Sequence, residues 1–208
     1  MDDLKQVAGE VRVCKLCGLA SGRKNSVPGE GPANAEVMLI GEGPGFHEDQ
    51  QGRPFVGPSG EFLTQLLASA GFKRSEVFIA NVVKCRPPGN RDPLPEEISA
   101  CGAYLERQIA LINPKIIITL GRFSMARWFP GDKISAIHGR ARRFDGRIVV
   151  AMYHPAAALH QPALRDTLED DFRRLRDILA DAQKQAEAAK KPAKPDPEDS
   201  GAEQLSLF

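Results

Sequence analysis

Four stretches of the chain are almost free of polar residues: 36–40 (EVMLI), 77–83 (VFIANVV), 115–120 (KIIITL) and 148–153 (IVVAMY). Short, nearly continuous apolar runs of this kind are the pattern of strands covered on both faces. Between them the hydrophobic residues return at spacings of three and four. Segment 59–70 (SGEFLTQLLASA) opens on Ser59 as a candidate cap and puts Phe62, Leu66 and Leu67 on one helical face. Segment 95–111 carries Ile98, Tyr104, Leu105, Ile109 and Leu111, and 122–128 is a shorter helical candidate. From Pro162 onward Leu164, Leu168, Phe172, Leu175 and Leu179 form one stripe of an amphipathic helix. Strands alternating with helices predict an α/β fold of three layers, αβα, around a central four-stranded parallel sheet.

The periodic pattern stops near residue 183. Residues 183–203 are charged, proline-bearing and free of aromatics, the composition of a disordered linker. Large apolar residues return in 204–208 (QLSLF). The expected organisation is therefore a folded domain at 1–182, a linker at 183–203 and a terminal peptide at 204–208. A length of 208 residues and a hydrophobic fraction of 42% suit one such domain with its own core. No apolar run approaches the ~20 residues of a membrane span, and MDDLKQVAGEVRVC lacks the apolar stretch of a secretory signal. A cytoplasmic protein is expected.

Charge and cysteine usage sharpen this picture. The net charge of +1 conceals a basic segment between Gly121 and Arg147, where seven Lys and Arg residues stand against Asp132 and Asp145. That segment is either a solvated face or a grip for phosphates. Cys14-x2-Cys17, Cys85 and Cys101 supply the four thiolates of a tetrahedral sulfur site, for zinc or for an iron–sulfur cluster. The bland alternative is two buried free cysteines beside an unrelated CxxC.

The glycine loop LIGEGPGFHED (39–49) follows the first strand. Its glycines, Gly41, Gly43 and Gly45, are spaced G-x-G-x-G, not the G-x-G-x-x-G of dinucleotide sites, and Pro44 interrupts them. Glu48 and Asp49 follow, no Walker lysine appears, and no helix is signalled before Ser59. A phosphate cradle is excluded. Ligands of open parallel sheets bind beyond the carboxyl ends of the strands. Those ends bring Gly41–Gly45 with Glu42, then Asn81, Gly121 and His154, toward one crevice. An Asn amide, with one donor group and one acceptor, can read the edge of a planar heterocycle. A histidine can meet a developing oxyanion, and Phe55 in GRPFVG offers a flat stacking surface. Taken singly, Asn81 could be a turn former, His154 a core residue and Phe55 packing.

The motifs GEGPG, E-D-x-x-G-R-P-F-V-G, N-V-V-K-C-R-P-P-x-N-R-x-P and HPAAAL occur in that order. Together they resemble the family 4 uracil-DNA glycosylases, the thermostable-type enzymes with an iron–sulfur cluster. The resemblance runs from Cys14 to about Ala180. PPGNRDPLPEE lacks the histidine-bearing insertion of the covalently trapping branch, which implies a turnover enzyme. The resemblance implies a uracil-DNA glycosylase-like fold and an enzyme that flips uracil out of DNA, hydrolyses its N-glycosidic bond and so initiates base excision repair. By the same resemblance Phe55 stacks on the extruded uracil and Asn81 binds its N3/O4 edge. Backbone N–H groups near Gly43 hold the ring from the other side. His154 donates to O2, Glu42 serves the attacking water and the sugar cation, and Glu48 excludes the 5-methyl of thymine. Cys14, Cys17, Cys85 and Cys101 correspond to the ligands of a [4Fe–4S] cluster, drawn from the N-terminal segment and the loop flanking Asn81.

Base flipping requires a wedge, for which Leu159 is the candidate, and a phosphate grip, for which Arg140, Arg142 and Arg143 are. The expected partner is uracil-containing DNA, double- or single-stranded, met by a monomer in the nucleoid. Gln204, Leu205, Leu207 and Phe208 resemble the short bacterial sliding-clamp-binding motif. The competing class is a non-catalytic iron–sulfur or zinc DNA-binding module, which has no need of Glu42, Asn81 or His154.

Overall fold

The computed structural model describes residues 3–180 and Lys184. The expectations for 204–208, and for nearly all of 183–203, lie outside the described residues. Five strands form one sheet: β1 (Val37–Gly41), β2 (Val77–Asn81), β3 (Ile116–Leu120), β4 (Ala141–Phe144) and β5 (Arg147–Met152), in the order β2-β1-β3-β5-β4. The four predicted strands are β1, β2, β3 and β5, and they pair in parallel. The sheet is five-stranded rather than four-stranded, because β4 adds an antiparallel edge to β5. That strand (ARRF) has no apolar run to signal it. The Asp145-Gly146 turn does signal it: both residues adopt positive φ (+45° and +79°), as a two-residue hairpin demands. Its exposed arginines also keep the sheet edge from pairing with other chains.

The helices are α1 (Leu4–Val13), α2 (Leu19–Gly22), α3 (Phe46–Gln51), α4 (Pro58–Ser69), α5 (Pro95–Ile112), α6 (Arg122–Met125), α7 (Ile134–Ile137), α8 (Pro155–His160) and α9 (Ala163–Arg173). Alternation along the strands divides the core into two layers. Val37, Leu39, Val77, Ile79, Ile116, Ile118 and Val150 face Phe62, Leu66 and Leu67 of α4 and Leu168 and Phe172 of α9. Met38, Ile40, Phe78, Ala80, Ile117 and Val149 face Leu105, Ile109 and Ile112 of α5. Each fully buried large side chain contributes roughly 1.5–3 kcal/mol. These two layers hold the sheet rigid beneath its carboxyl edge.

Two local expectations change. Helix α4 is capped by Gly57 with Pro58 in its first turn, not by Ser59. A short helix, α3, follows the glycine loop, where none was signalled before Ser59. It starts because Glu48, in its first turn, folds back to accept from the Gly45 N–H (3.1 Å). The chain's own carboxylate thus occupies the place a phosphate would take.

Candidate active site

The register that pairs Gly41 with Asn81 sets the ends of β1 and β2 side by side. A Cβ at Gly41 would lie 2.4 Å from Asn81 Oδ1 and 2.8 Å from the Phe55 ring, so glycine is required for the three to meet. Phe55 adopts φ +50°, a strained value for a residue with a side chain. Its backbone is held against Gly60, where a Cβ would fall 1.9 Å from the Phe55 carbonyl oxygen. The Phe55 ring stacks on His154, with centroids 5.4 Å apart and planes 25° apart. Asn81 is 1% exposed, and its Oδ1 has no hydrogen-bond partner among the described residues. A buried acceptor without a donor is costly, and it marks where a ligand N–H fits. Glu42, Gly43, Glu48, Phe55, Asn81 and His154 all line one cleft of about 500 Å³.

His154 caps α8, and its Nδ1 accepts from the Ala156 N–H (3.1 Å). A backbone amide can only donate, so the neutral ring carries its proton on Nε2. Burial pushes its pKa down to about 4, against a smaller opposing pull from Glu48. The ring is therefore a neutral donor at physiological pH. Glu42 is shifted the other way. Burial raises its pKa, while the Phe123 N–H donating to Oε1 (3.2 Å) and the Arg122 charge hold it back. A carboxylate of raised basicity at a cleft wall suits proton abstraction from water. Gly121, at φ +98°, leaves room for it, since a Cβ there would lie 2.3 Å from Glu42 Oε1.

Residues 28–181 match the model of the uracil DNA glycosylase superfamily. The chain is 50% identical over 188 residues to a type-4 uracil-DNA glycosylase of Sulfurisphaera tokodaii, covering 86% of each chain. It is 48% identical to that of Saccharolobus solfataricus, over 86% of this chain and 88% of the relative. It is 42% identical to that of Archaeoglobus fulgidus, over 88% and 96%. The chain belongs to the uracil-DNA glycosylase superfamily, in its type-4 family.

In this family member Glu48 does more than line the cleft. Oε1 accepts from the N–H groups of Val56 (2.9 Å) and Gly57 (3.2 Å), and Oε2 from that of Gly45. The carboxylate ties the glycine loop to the turn that carries Phe55. Asp49, also buried, accepts from the Lys24 N–H (2.9 Å) and fastens the segment before β1. Asp49 and Arg91, the latter lining the cleft and ion-paired with buried Glu97 (2.6 Å), were not singled out from the sequence. Both lie inside quoted motifs, which is the signal that could have found them.

Cys85 and Cys101 are buried in a small cluster with Leu19 and Val83, against which Cys17 packs. Cys14 packs beside Tyr104 of α5, and Cys14 and Cys17 both interact electrostatically with Cys85. Cys101 stands on α5, not on the N-terminal segment or the loop flanking Asn81, as the sequence reading expected. Burial pushes the Cys101 thiol up to about 11 and raises that of Cys85, so thiolates there need positive charge nearby. Arg23 supplies some by donating to Cys85 Sγ (3.0 Å). Among the described residues no group of three or more His, Cys, Asp or Glu side chains is arranged to hold a metal ion. The donor set is chemically that of a thiophilic centre: Cys17, Cys85 and Cys101 pack in one cluster, Cys14 packs beside Tyr104, and Arg23 places a cation at Cys85.

Leu159 is 46% exposed at the cleft rim on α8. Phe46, 52% exposed, lines the same cleft, with the Arg86 guanidinium 5.2 Å from its ring centre. The three arginines are not brought together at the cleft. Arg140 lies at the carboxyl end of β5, where its carbonyl accepts from Ala151. Arg142 is paired with Asp132 (2.9 Å), and Arg143 donates to the Gly146 carbonyl (2.9 Å) at the far end of the hairpin. No described helix is long and apolar enough to cross a membrane.

Proposed function

We propose that the protein excises uracil from DNA by hydrolysing its N-glycosidic bond, the entry step of base excision repair. The unpartnered Oδ1 of Asn81 carries this reading, because a uracil N3–H is the donor it lacks. The base leaves the stack at a cost of a few kcal/mol, smallest at a mispair, with Leu159 filling the vacated space. Phe55 gives the ring a flat apolar wall, and N–H groups near Gly43 approach from the loop side. As the C1′–N1 bond breaks, its electron pair passes to the base and charge grows on O2. The Nε2–H of His154 stabilises that charge without having to be an imidazolium. Water adds to the resulting sugar cation and gives its proton to Glu42, leaving an abasic site and the uracil anion, which takes up a proton from solvent on release while Glu42 returns its own. Glu48 stands where a 5-methyl would project and excludes thymine. Arg140 is the best placed of the three arginines to hold a phosphate, and Arg142 and Arg143 would do so by exchanging their present partners.

Cys14, Cys17, Cys85 and Cys101 would hold a [4Fe–4S] cluster. When bound it would supply four covalent cross-links joining the N-terminal segment to α5 and to the end of β2. A brown protein with visible absorption is expected, since zinc is colourless. The last five residues would bind a sliding clamp. The deciding assay is release of free uracil from a U·G duplex, with a T·G duplex alongside. No uracil released at low salt overturns the reading.

A further inference from the structure

Lys84 is among the largest of the fully buried side chains, with 1% of its surface exposed. A lysine ammonium withdrawn from water must find acceptors for its protons. Nζ donates to the backbone carbonyl of Asn81 (2.8 Å) and to Oε1 of Gln108 on α5 (2.7 Å). Gln108 is itself buried and donates to the Pro28 carbonyl (2.7 Å). No carboxylate pairs with Lys84 among the described residues. Its main chain is fastened as well: the carbonyl accepts from the Val27 N–H (2.7 Å).

Packing alone does not account for this arrangement. A Met would occupy similar space without placing a hydrogen-bond donor among these oxygens. What Nζ adds is a grip on one particular peptide group, that of Asn81. The direction of the Asn81 amide follows from the rotation of its backbone, and the chain turns out of β2 at that point. The strand pairing and the Val82 and Val83 N–H groups, which donate to the Gly41 and Glu42 carbonyls (3.0 and 3.1 Å), hold the chain on the β1 side, and the Lys84 grip holds the Asn81 carbonyl from the α5 side.

We propose that Lys84 is a positioning residue for base recognition: by clamping the Asn81 carbonyl to α5, it aims the Asn81 side chain into the cleft. This rests on the uracil-excision reading above. Because Lys84 directly precedes Cys85, which is buried in one cluster with Cys101, the same residue ties the aim of Asn81 to the cysteines.

The test uses the full chain, purified with its cluster, and Lys84→Met. Binding of free uracil and binding to a duplex carrying an abasic-site analogue are both measured by calorimetry. Uracil affinity should fall about tenfold, the scale of losing one or two charge-assisted hydrogen bonds, while affinity for the abasic duplex stays unchanged. In an Asn81→Ala background, Lys84→Met should weaken uracil binding no further. Equal loss on both ligands, or a full additional loss in the Asn81→Ala background, would mean a merely structural lysine and would overturn the proposal. Gln108→Met should act in the same direction more weakly. If Lys84→Met does not fold, unchanged uracil affinity in Gln108→Met overturns it instead. A wild-type protein that neither binds nor releases uracil sinks the excision reading itself. A working wild type matched by Lys84→Met sinks only the role of Lys84.

Discussion

At His154 the backbone amide of Ala156 occupies Nδ1, which leaves Nε2–H as the group offered to the cleft. His154→Ala should slow uracil release by about 10²-fold or more, the scale of one lost oxyanion donor, with DNA affinity nearly unchanged. Normal cleavage with poor binding would refute the assignment. The same residue predicts a pH signature. An unfolded histidine takes up its proton near 6.5 and the folded one only near 4. Between these values the unfolded chain binds more protons, so stability falls as pH is lowered through that window. His154→Gln should flatten the dependence of melting temperature on pH there. Activity should fail on the acid side for a different reason. Glu42 has a raised pKa, and the proposed mechanism needs it ionised, so the acid limb should lie above the ordinary carboxylate range and disappear in Glu42→Gln.

At the scale of elements, the site depends on how α3 is joined to the start of α4. Glu48 makes that joint through three backbone N–H groups on two segments. Glu48→Ala leaves those donors unmet, and each buried loss costs about 1–3 kcal/mol. A lower melting temperature is therefore expected together with release of thymine from a T·G duplex. Thymine release without destabilisation would mean that exclusion is steric and the brace dispensable. Loss of stability with no thymine release would leave Glu48 a brace alone. The strain at Phe55 belongs to this scale too. Its left-handed backbone persists because Gly60 and Gly41 allow the ring and carbonyl to pack where a Cβ would collide.

For the whole molecule, the parallel sheet puts all its chemistry on one edge, and the N-terminal segment is bound to the same region through Asp49 and the cysteines. The peptide 204–208 lies outside the described residues, and its role is a matter for experiment. Deleting it should leave uracil release from short oligonucleotides intact and abolish binding to a bacterial sliding clamp. Equal clamp affinity of full-length and truncated proteins in solution would refute that role.

The apolar runs of β1, β2, β3 and β5 were legible along the chain because a doubly covered strand must be apolar at nearly every position. So was the set Glu42, Asn81 and His154, because parallel strands leave their carboxyl ends on one side. Strand β4 was less visible, since an edge strand answers to solvent and pairs through backbone groups that every sequence carries. Helix α3 was hidden for a related reason: its start depends on a carboxylate folding back, not on periodicity. The Nε2 tautomer of His154, the triple anchorage of Glu48 and the grip of Lys84 on Asn81 have no trace in spacing at all. They depend on which backbone amide or carbonyl lies within 3 Å or so of a side chain, and only the packing of distant segments sets those distances.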